Sequence, residues 1–166
     1  MTLTNSTPQL APEREQDFPL VDALIARAFG PGRFVKTAER LREGNHPLLD
    51  LSFVAWRDGC AVGCVRLWPI RIGEAPALLL GPFAVEEEFR GQGLGAALIV
   101  RACEAATKAG HQWMLLVGDA EFFVPLGFAR AQAVTMPGPV DPRRVLLRRL
   151  NDGSDAPPTG LVSVPD

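Results

Sequence analysis

The stretch "EEEFRGQGLGAAL", residues 86–98, places three glycines at alternate positions between a run of carboxylates and an apolar helical pattern. A strand that runs into glycines and then into a helix directs several backbone N–H groups toward one point, and the helix dipole adds positive potential there. Glycine suits such a loop because a Cβ would block the close approach of a phosphate and would penalise positive φ angles. The stretch therefore predicts a cradle for an anionic, phosphate-bearing ligand.

A dinucleotide is one candidate for that ligand. Gly91, Gly93 and Ala96 fit the Gly-x-Gly-x-x-Ala form of the dinucleotide fingerprint, and Asp119 ends the next predicted strand, as a ribose-binding acid would. In that fold the glycines follow the strand directly, whereas "EEEFR" intervenes here, and Asp119 lies further downstream than the usual ~20 residues. A kinase-type phosphate loop is excluded because no Gly-Lys-Ser/Thr occurs. An NAD(P)-binding oxidoreductase stays open as an alternative.

The rest of the chain alternates between helical and strand patterns. An amphipathic helix is predicted within 13–30, with Gly30 as its stop, and a hairpin within 51–70 turns at Asp58-Gly59. The further predictions are a helical patch at 35–43, strands at 75–85 and 113–117, a buried helix at 95–109, a short helix at 120–125, and strands at 127–134 and 143–150. This order predicts an α/β fold with a mixed sheet and helices on both faces.

Length and composition are those of one soluble globular domain. The chain has 166 residues, of which 47% are apolar and 22% charged, with a net charge of −2. We expect a single domain at 11–150, a mobile N-terminus at 1–10 and a disordered tail at 151–166, where Pro, Gly, Ser and Asp concentrate.

Several functional classes have no support in the sequence. The longest apolar stretches, such as 75–85, are shorter than the ~20 residues that a membrane span needs, and the first residues lack the pattern of a signal peptide, so we expect a cytoplasmic protein. Nucleic-acid binding is not expected at this charge. Three cysteines and two histidines without ligand spacing predict no metal site.

The glycine stretch also carries a family resemblance. "RGQGLG", residues 90–95, resembles the pyrophosphate loop of the GCN5-related N-acetyltransferase (GNAT) superfamily. Its surroundings, "LLLGPFAVEEEFRGQGLGAALI", "WMLLVGD" and "FFVPLGF", resemble the family's core in order and spacing. The resemblance covers nearly the whole of residues 10–150 and is strongest to the YhbS-type predicted bacterial N-acetyltransferases.

The resemblance implies a GNAT fold, with a central mixed, mostly antiparallel sheet in which two parallel strands, here 77–85 and 113–118, splay apart around the pantetheine arm of acetyl-CoA. The residues it would place at the cofactor are Phe83, Ala84 and Val85 for the pantetheine, and Arg90, Gly91, Gln92, Gly93, Leu94, Gly95 and Ala96 for the pyrophosphate. Phe122 and Phe123 could equally wall the thioester pocket or belong to the core. The implied reaction is direct attack by an amine in a ternary complex, and the acceptor is a small-molecule or protein amine. A monomer or homodimer is expected.

The catalytic residues cannot be transferred from the family in the same way. Many relatives carry a tyrosine four residues before the glycine of the "GF" pair, but Phe123 stands there and the chain has no tyrosine. Asp119 is a candidate for proton transfer or a helix N-cap, and Glu74 is a weaker candidate that also suits a turn. Arg33 could pair with an acceptor carboxylate, whereas Arg143, Arg144, Arg148 and Arg149 read as a charged sheet edge. A further alternative is an acyl-CoA-binding regulatory module that has lost catalysis.

Overall fold

The computed structural model describes residues 7–30 and 37–166. Within these residues the helices are α1 (Phe18–Phe29), α2 (Leu94–Lys108) and α3 (Ala120–Phe123). The strands are β1 (Gln9–Pro12), β2 (Phe53–Arg57), β3 (Cys60–Ile72), β4 (Ala75–Val85), β5 (Trp113–Val117), β6 (Ala129–Arg130), β7 (Val134–Thr135), β8 (Val145–Arg149) and β9 (Gly160–Ser163). In the part of the chain so described, no helix is long and apolar enough to span a membrane.

The strands form a mixed, mostly antiparallel sheet, as predicted. Its order is β1-β2-β3-β4-β5-β8-β6. Neighbours from β1 to β4 are antiparallel, β4 and β5 are parallel, and β5, β8 and β6 are antiparallel again. The β2–β3 hairpin turns at Asp58 and Gly59, whose φ angles of 50° and 78° are those of a type I′ turn.

Helices cover both faces of the sheet because successive strand residues point in opposite directions. In β3, Val65 packs in the core beneath α2, whereas its neighbour Cys64 packs against α1 together with Leu24 and Ile25. The pattern continues in β4, where Leu78 lies on the α2 side and Leu79 lies in a second core with Trp68 on the other side.

The two central parallel strands separate. β4 and β5 pair only at Leu78 with Met114 and Leu79 with Leu115, although β4 continues to Val85. A bulge accompanies the separation, because β3 and β4 are in register at Leu67 with Leu80 and again at Val65 with Phe83, so that β4 has one extra residue between the two pairs. The predicted splay of residues 77–85 and 113–118 is thereby confirmed.

One local prediction is confirmed in part and two are wrong. The helical patch at 35–43 contains a 3-10 helix at Thr37–Leu41, with residues 35 and 36 outside the described residues. The strand at 127–134 is reduced to β6 and the start of β7, because residues between them turn away from the ladder. The tail expected to be disordered contains β9, which pairs with the end of β3 and with β7.

The tail forms β9 because it contains a short apolar run, Leu161 and Val162. The prolines and glycines before this run led us to predict disorder. Val162 is 1% exposed and packs in the same core as Ile72. At the other end of the chain, Gln9 and Leu10 of the expected mobile segment belong to β1, and residues 1–6 lie outside the described part.

Candidate active site

The glycine loop has the backbone shape that an anion cradle needs. β4 ends at Val85, a 3-10 turn follows at Glu87–Phe89, and Gly91 and Gly93 then adopt positive φ angles of 77° and 84°. A Cβ placed on either glycine would meet nothing within 4 Å among the described residues, so the space above them is open. α2 begins at Leu94 with no side-chain cap on its N-terminus. Its first N–H groups therefore have no intrahelical partner and face that space.

Side chains of the loop brace its own backbone. The Arg90 Nε donates to the Val85 carbonyl at 3.0 Å, and the Gln92 Nε2 donates to the Glu88 carbonyl at 2.9 Å. Phe89 is buried beneath the loop in the α2-side core. These contacts hold the turn between β4 and α2 in one shape.

A cleft of about 470 Å³ lies over the loop. We call it the loop cleft; it is lined by Ala28, Phe29, Phe83, Ala84, Val85, Arg90, Gly91, Gly93, Gly95, Ala96 and Phe122. The structure thus brings together most of the residues predicted to hold a cofactor. Gln92 and Leu94 do not line it, since Gln92 bonds to the loop backbone and Leu94 packs against the core.

Aromatic rings form one wall of this cleft. Phe83 and Phe122 stack with ring centroids 5.8 Å apart, and a Cβ on Gly95 would come within 2.9 Å of the Phe83 ring. Glycine at position 95 thus lets the first turn of α2 approach that ring. Phe123, at the family's tyrosine position, is buried edge-on between Phe122 and Phe128 in the core, and it also lines the second cleft described below.

A second cleft of about 680 Å³ opens where β4 and β5 separate. We call it the splay cleft; its apolar wall includes Ile25, Leu80, Leu116 and Val117, and its polar lining includes Thr37, Glu39, Arg40, Arg42, Asp119, Asp141 and Arg144. Phe29 and Phe83 line both clefts, so the two meet at these rings. Both volumes fall in the range of ligand pockets, ~300–1,000 Å³.

The bulge in β4 forms part of the wall of the splay cleft. Gly81 and Pro82 lie there, and the Trp68 indole N–H donates to the Gly81 carbonyl from inside the second core. Trp68 therefore fixes the course of β4 just before Phe83.

The charged groups of the splay cleft differ in how they are paired. Arg42 forms an ion pair with Glu39 at 2.8 Å, and Arg143, which lies outside the lining, pairs with Asp141 at 2.9 Å. Hydrogen bonds from Arg143 hold the pKa of the Asp141 carboxyl below its usual value. The Asp119 carboxylate accepts a hydrogen bond from the Glu121 N–H at 3.1 Å and so caps the N-terminus of α3. A helix N-cap was one of the two roles predicted for this residue.

Other residues singled out in the sequence lie elsewhere. Glu74 is exposed in the turn between β3 and β4, at the opposite end of β4 from the glycine loop, and lines neither cleft. Glu86 forms an ion pair with Arg27 of α1. Arg33 lies outside the described residues. Among the described residues, no group of three or more possible metal ligands comes together.

Sequence patterns missed the contribution of Arg144 to the splay cleft. We expected a charged sheet edge, but Arg144 precedes β8, and its carbonyl accepts from the Gly118 N–H at 2.9 Å, which sets it beside the end of β5. Its position depends on the pairing of β5 with β8, which no local signal revealed.

Known proteins share both the sequence pattern and the fold. The family model for the acetyltransferase (GNAT) domain matches residues 49–130. The uncharacterized N-acetyltransferase YhbS of Escherichia coli K12 is 31% identical over 118 residues, which cover 69% of this chain and 70% of that protein.

Solved structures agree. The crystal structure of Escherichia coli YhbS in complex with CoA superposes with a TM-score of 0.81 at 27% identity, covering 99% of this chain and 93% of that one. A GNAT family acetyltransferase from Brucella melitensis in complex with acetyl-CoA superposes with a TM-score of 0.70 at 25% identity, with 95% of each chain covered. The chain therefore belongs to the GNAT family of N-acetyltransferases.

Proposed function

We propose that the protein transfers the acetyl group of acetyl-CoA to an amine by direct attack within a ternary complex. The observation that carries this proposal is the junction of the two clefts at Phe83, because one cleft ends at an open anion cradle and the other leads to charged side chains. The two relatives described above were crystallised with CoA and with acetyl-CoA, which supports the same ligand here.

The loop cleft would bind the cosubstrate mainly through the protein backbone. The amides from Gly91 to Ala96 would donate to the pyrophosphate, and the positive end of α2 would favour its charge. The backbone of Phe83, Ala84 and Val85 would bind the pantetheine arm, which is possible because β5 leaves this part of β4 unpaired. Phe122 would cover the arm from the other side.

The reaction itself requires little covalent chemistry from the protein. The amine lone pair attacks the thioester carbonyl carbon, a C–N bond forms, the C–S bond breaks, and the thiolate leaves with the electron pair and takes up a proton. A β4 amide near the bulge would donate to the carbonyl oxygen as it gains negative charge. The Trp68 bond to Gly81 would hold that amide in place.

Asp119 is our candidate for removing the proton from the amine, directly or through water. Of the three carboxylates that line the described splay cleft, Glu39 and Asp141 are each paired with an arginine, whereas Asp119 accepts a backbone N–H. Phe123 offers no hydroxyl for the leaving thiolate. A thiol with a pKa near 8.5 leaves without strong acid assistance, so water could supply that proton.

The cysteines support direct transfer over a covalent enzyme intermediate. Cys64 and Cys103 are buried, and burial raises the pKa of the Cys64 thiol to about 12. Cys60 is exposed at the β2–β3 turn. Of the residues described, no cysteine lines either cleft.

The proposal is tested by measuring CoA release from acetyl-CoA in the presence of amines, with mass spectrometry of the products. We expect acetylated amine and CoA in equal amounts. Acetyl-CoA binding without transfer to small-molecule or protein amines would favour the acyl-CoA-binding module instead. Preferential binding of NADPH would favour the oxidoreductase and overturn the assignment of the loop cleft.

A further inference from the structure

The splay cleft contains a carboxylate and a guanidinium that form no ion pair within the described residues. Among these residues, Asp119 accepts only a backbone N–H, and the Arg144 side chain donates no hydrogen bond, although its charge helps to lower the pKa of Asp141. Asp141, the carboxylate nearest to Arg144 in sequence, gives both of its oxygens to Arg143. The cleft therefore presents one available carboxylate and one available guanidinium.

The pairing of β5 with β8 brings both groups to one cleft. Val117 pairs with Val145, and the Gly118 N–H donates to the Arg144 carbonyl, so Arg144 stands opposite Gly118, the residue before Asp119. Asp119 and Arg144 both line the splay cleft. A carboxylate and a guanidinium in one cleft suit a ligand that itself carries both charges.

Arg40 adds positive potential to the same cleft. It donates to the Pro137 carbonyl at 2.8 Å, which fixes the guanidinium without neutralising it. Because Glu39 is already paired with Arg42, the described lining carries more available positive than negative charge, although the chain as a whole has a net charge of −2. An acceptor with an anionic group is favoured there.

The splay cleft also has an apolar wall. Ile25, Leu80 and Leu116 are buried side chains that line the same cleft as these charges. Such a wall favours a ligand with an apolar substituent.

We propose that the acceptor is a small amine with a carboxylate beside it, of the class of apolar α-amino acids, whose carboxylate is held by Arg144 while its amine faces Asp119. This inference rests on the proposed function. The guanidinium matches a carboxylate in a planar, two-pronged hydrogen bond, so the site selects the acid over its amide or its decarboxylated amine. Proton removal from the amine and release of CoA follow as described above.

The test measures acetyl transfer to leucine, methionine and phenylalanine, to their amides and to the corresponding decarboxylated amines. The variants are Arg144→Gln and, as a matched control, Arg130→Gln, which removes the same charge from an exposed position that lines neither cleft. We expect at least one amino acid to exceed its amide by about 10- to 100-fold in kcat/KM. Arg144→Gln should remove most of that preference through KM, and Arg130→Gln should preserve it.

Each contrary outcome has a distinct meaning when acetyl-CoA binding is measured on the same samples. Equal rates with acid and amide, transfer to protein amines alone, or an equal loss with every substrate in Arg144→Gln would overturn the inference and leave the proposed function standing. Failure of acetyl-CoA to bind the wild-type protein would overturn the proposed function, and the inference with it.

Discussion

The loop cleft and the splay cleft meet at Phe83, yet the chain builds them in different ways. The loop cleft is formed largely by one continuous segment, 83–96, and its proposed ligand contacts are backbone amides exposed by glycines. The splay cleft draws side chains from α1, from residues 37–42, from the ends of β4 and β5, and from residues 139–144. A site made of backbone depends on local conformation, whereas a site made of side chains depends on how distant segments pack.

This difference suggests a division of labour. The backbone cradle would recognise a cosubstrate common to the family, and the assembled side chains would choose the acceptor. Substitutions in the loop should therefore act on acetyl-CoA affinity, and substitutions in the splay cleft should act on turnover or acceptor choice.

The largest effect is expected for Gly93→Glu. The new side chain would place a negative charge in the cradle and strain a backbone with a φ angle of 84°. Losing or opposing the charge-assisted bonds to the pyrophosphate should weaken acetyl-CoA binding by more than about 100-fold, measured by calorimetry. Gly59→Glu is the control, because Gly59 has a φ angle of 78°, equally open surroundings and no place in either cleft. Equal loss of affinity in both variants would refute the cradle.

The next effect concerns turnover. Asp119→Asn retains an oxygen that can cap α3 but removes the proposed proton acceptor, so kcat should fall about 100-fold while acetyl-CoA affinity stays within twofold. Glu104→Gln, on the exposed face of α2, should change neither quantity. A kcat for Asp119→Asn within threefold of the wild type would exclude this role and make Asp119 a helix cap only.

A smaller effect is expected at the β4 bulge, next to Phe83 where the two clefts meet. Trp68→Phe keeps an aromatic ring in the second core but removes the indole N–H that donates to Gly81. We expect kcat to fall about 10-fold through loosening of the β4 bulge, with a smaller change in KM for acetyl-CoA. Trp113→Phe alters the same core without touching the bulge. If both variants lose only thermal stability, Trp68 is a packing residue.

The smallest effect is expected on the free energy of unfolding, for a substitution of Asp17 just before α1. Burial raises the pKa of Asp17, but hydrogen bonds from Arg14 and its charge outweigh this effect and hold the pKa of that carboxyl below its ordinary value. A lowered native pKa means that the ionised form stabilises the fold above pH ~4, and that this contribution is lost as the pH falls through the native pKa. Asp17→Asn should therefore cost about 1–2 kcal/mol of unfolding free energy at pH 7 and less at pH 3. The exposed Asp50→Asn serves as the control in urea denaturation, and a pH-independent gap for Asp17→Asn would contradict the assignment.

The parts of the fold that the sequence predicted are those with local signals. Glycines 91, 93 and 95 and the apolar spacing of α2 predicted the loop and its helix, and Asp58-Gly59 predicted the hairpin turn. β9 was missed because "GLVS" follows a stretch of prolines and becomes a strand only by packing Val162 against Ile72.

Most of the splay cleft could not be predicted either, because its side chains come together only through tertiary packing. Arg144 is positioned by the pairing of β8 with β5, and Glu39 by a 3-10 helix within the predicted helical patch, whose packing the sequence did not show. Glu74 was a candidate for proton transfer because it is a carboxylate just before β4 in sequence. β4, an extended strand of eleven residues, separates it from the glycine loop. Each residue of a strand adds about 3.3 Å, so the two ends of β4 lie far apart. The positions of carboxylates in the sequence did not show which end of β4 lies at the site.

The central claim, that the glycine loop holds the pyrophosphate of acetyl-CoA, is tested most directly by calorimetric titration of the wild-type protein with acetyl-CoA, CoA and NADPH. We predict micromolar binding of acetyl-CoA and CoA, one molecule per chain, and no comparable binding of NADPH. No binding of acetyl-CoA, or a preference for NADPH, would contradict the account.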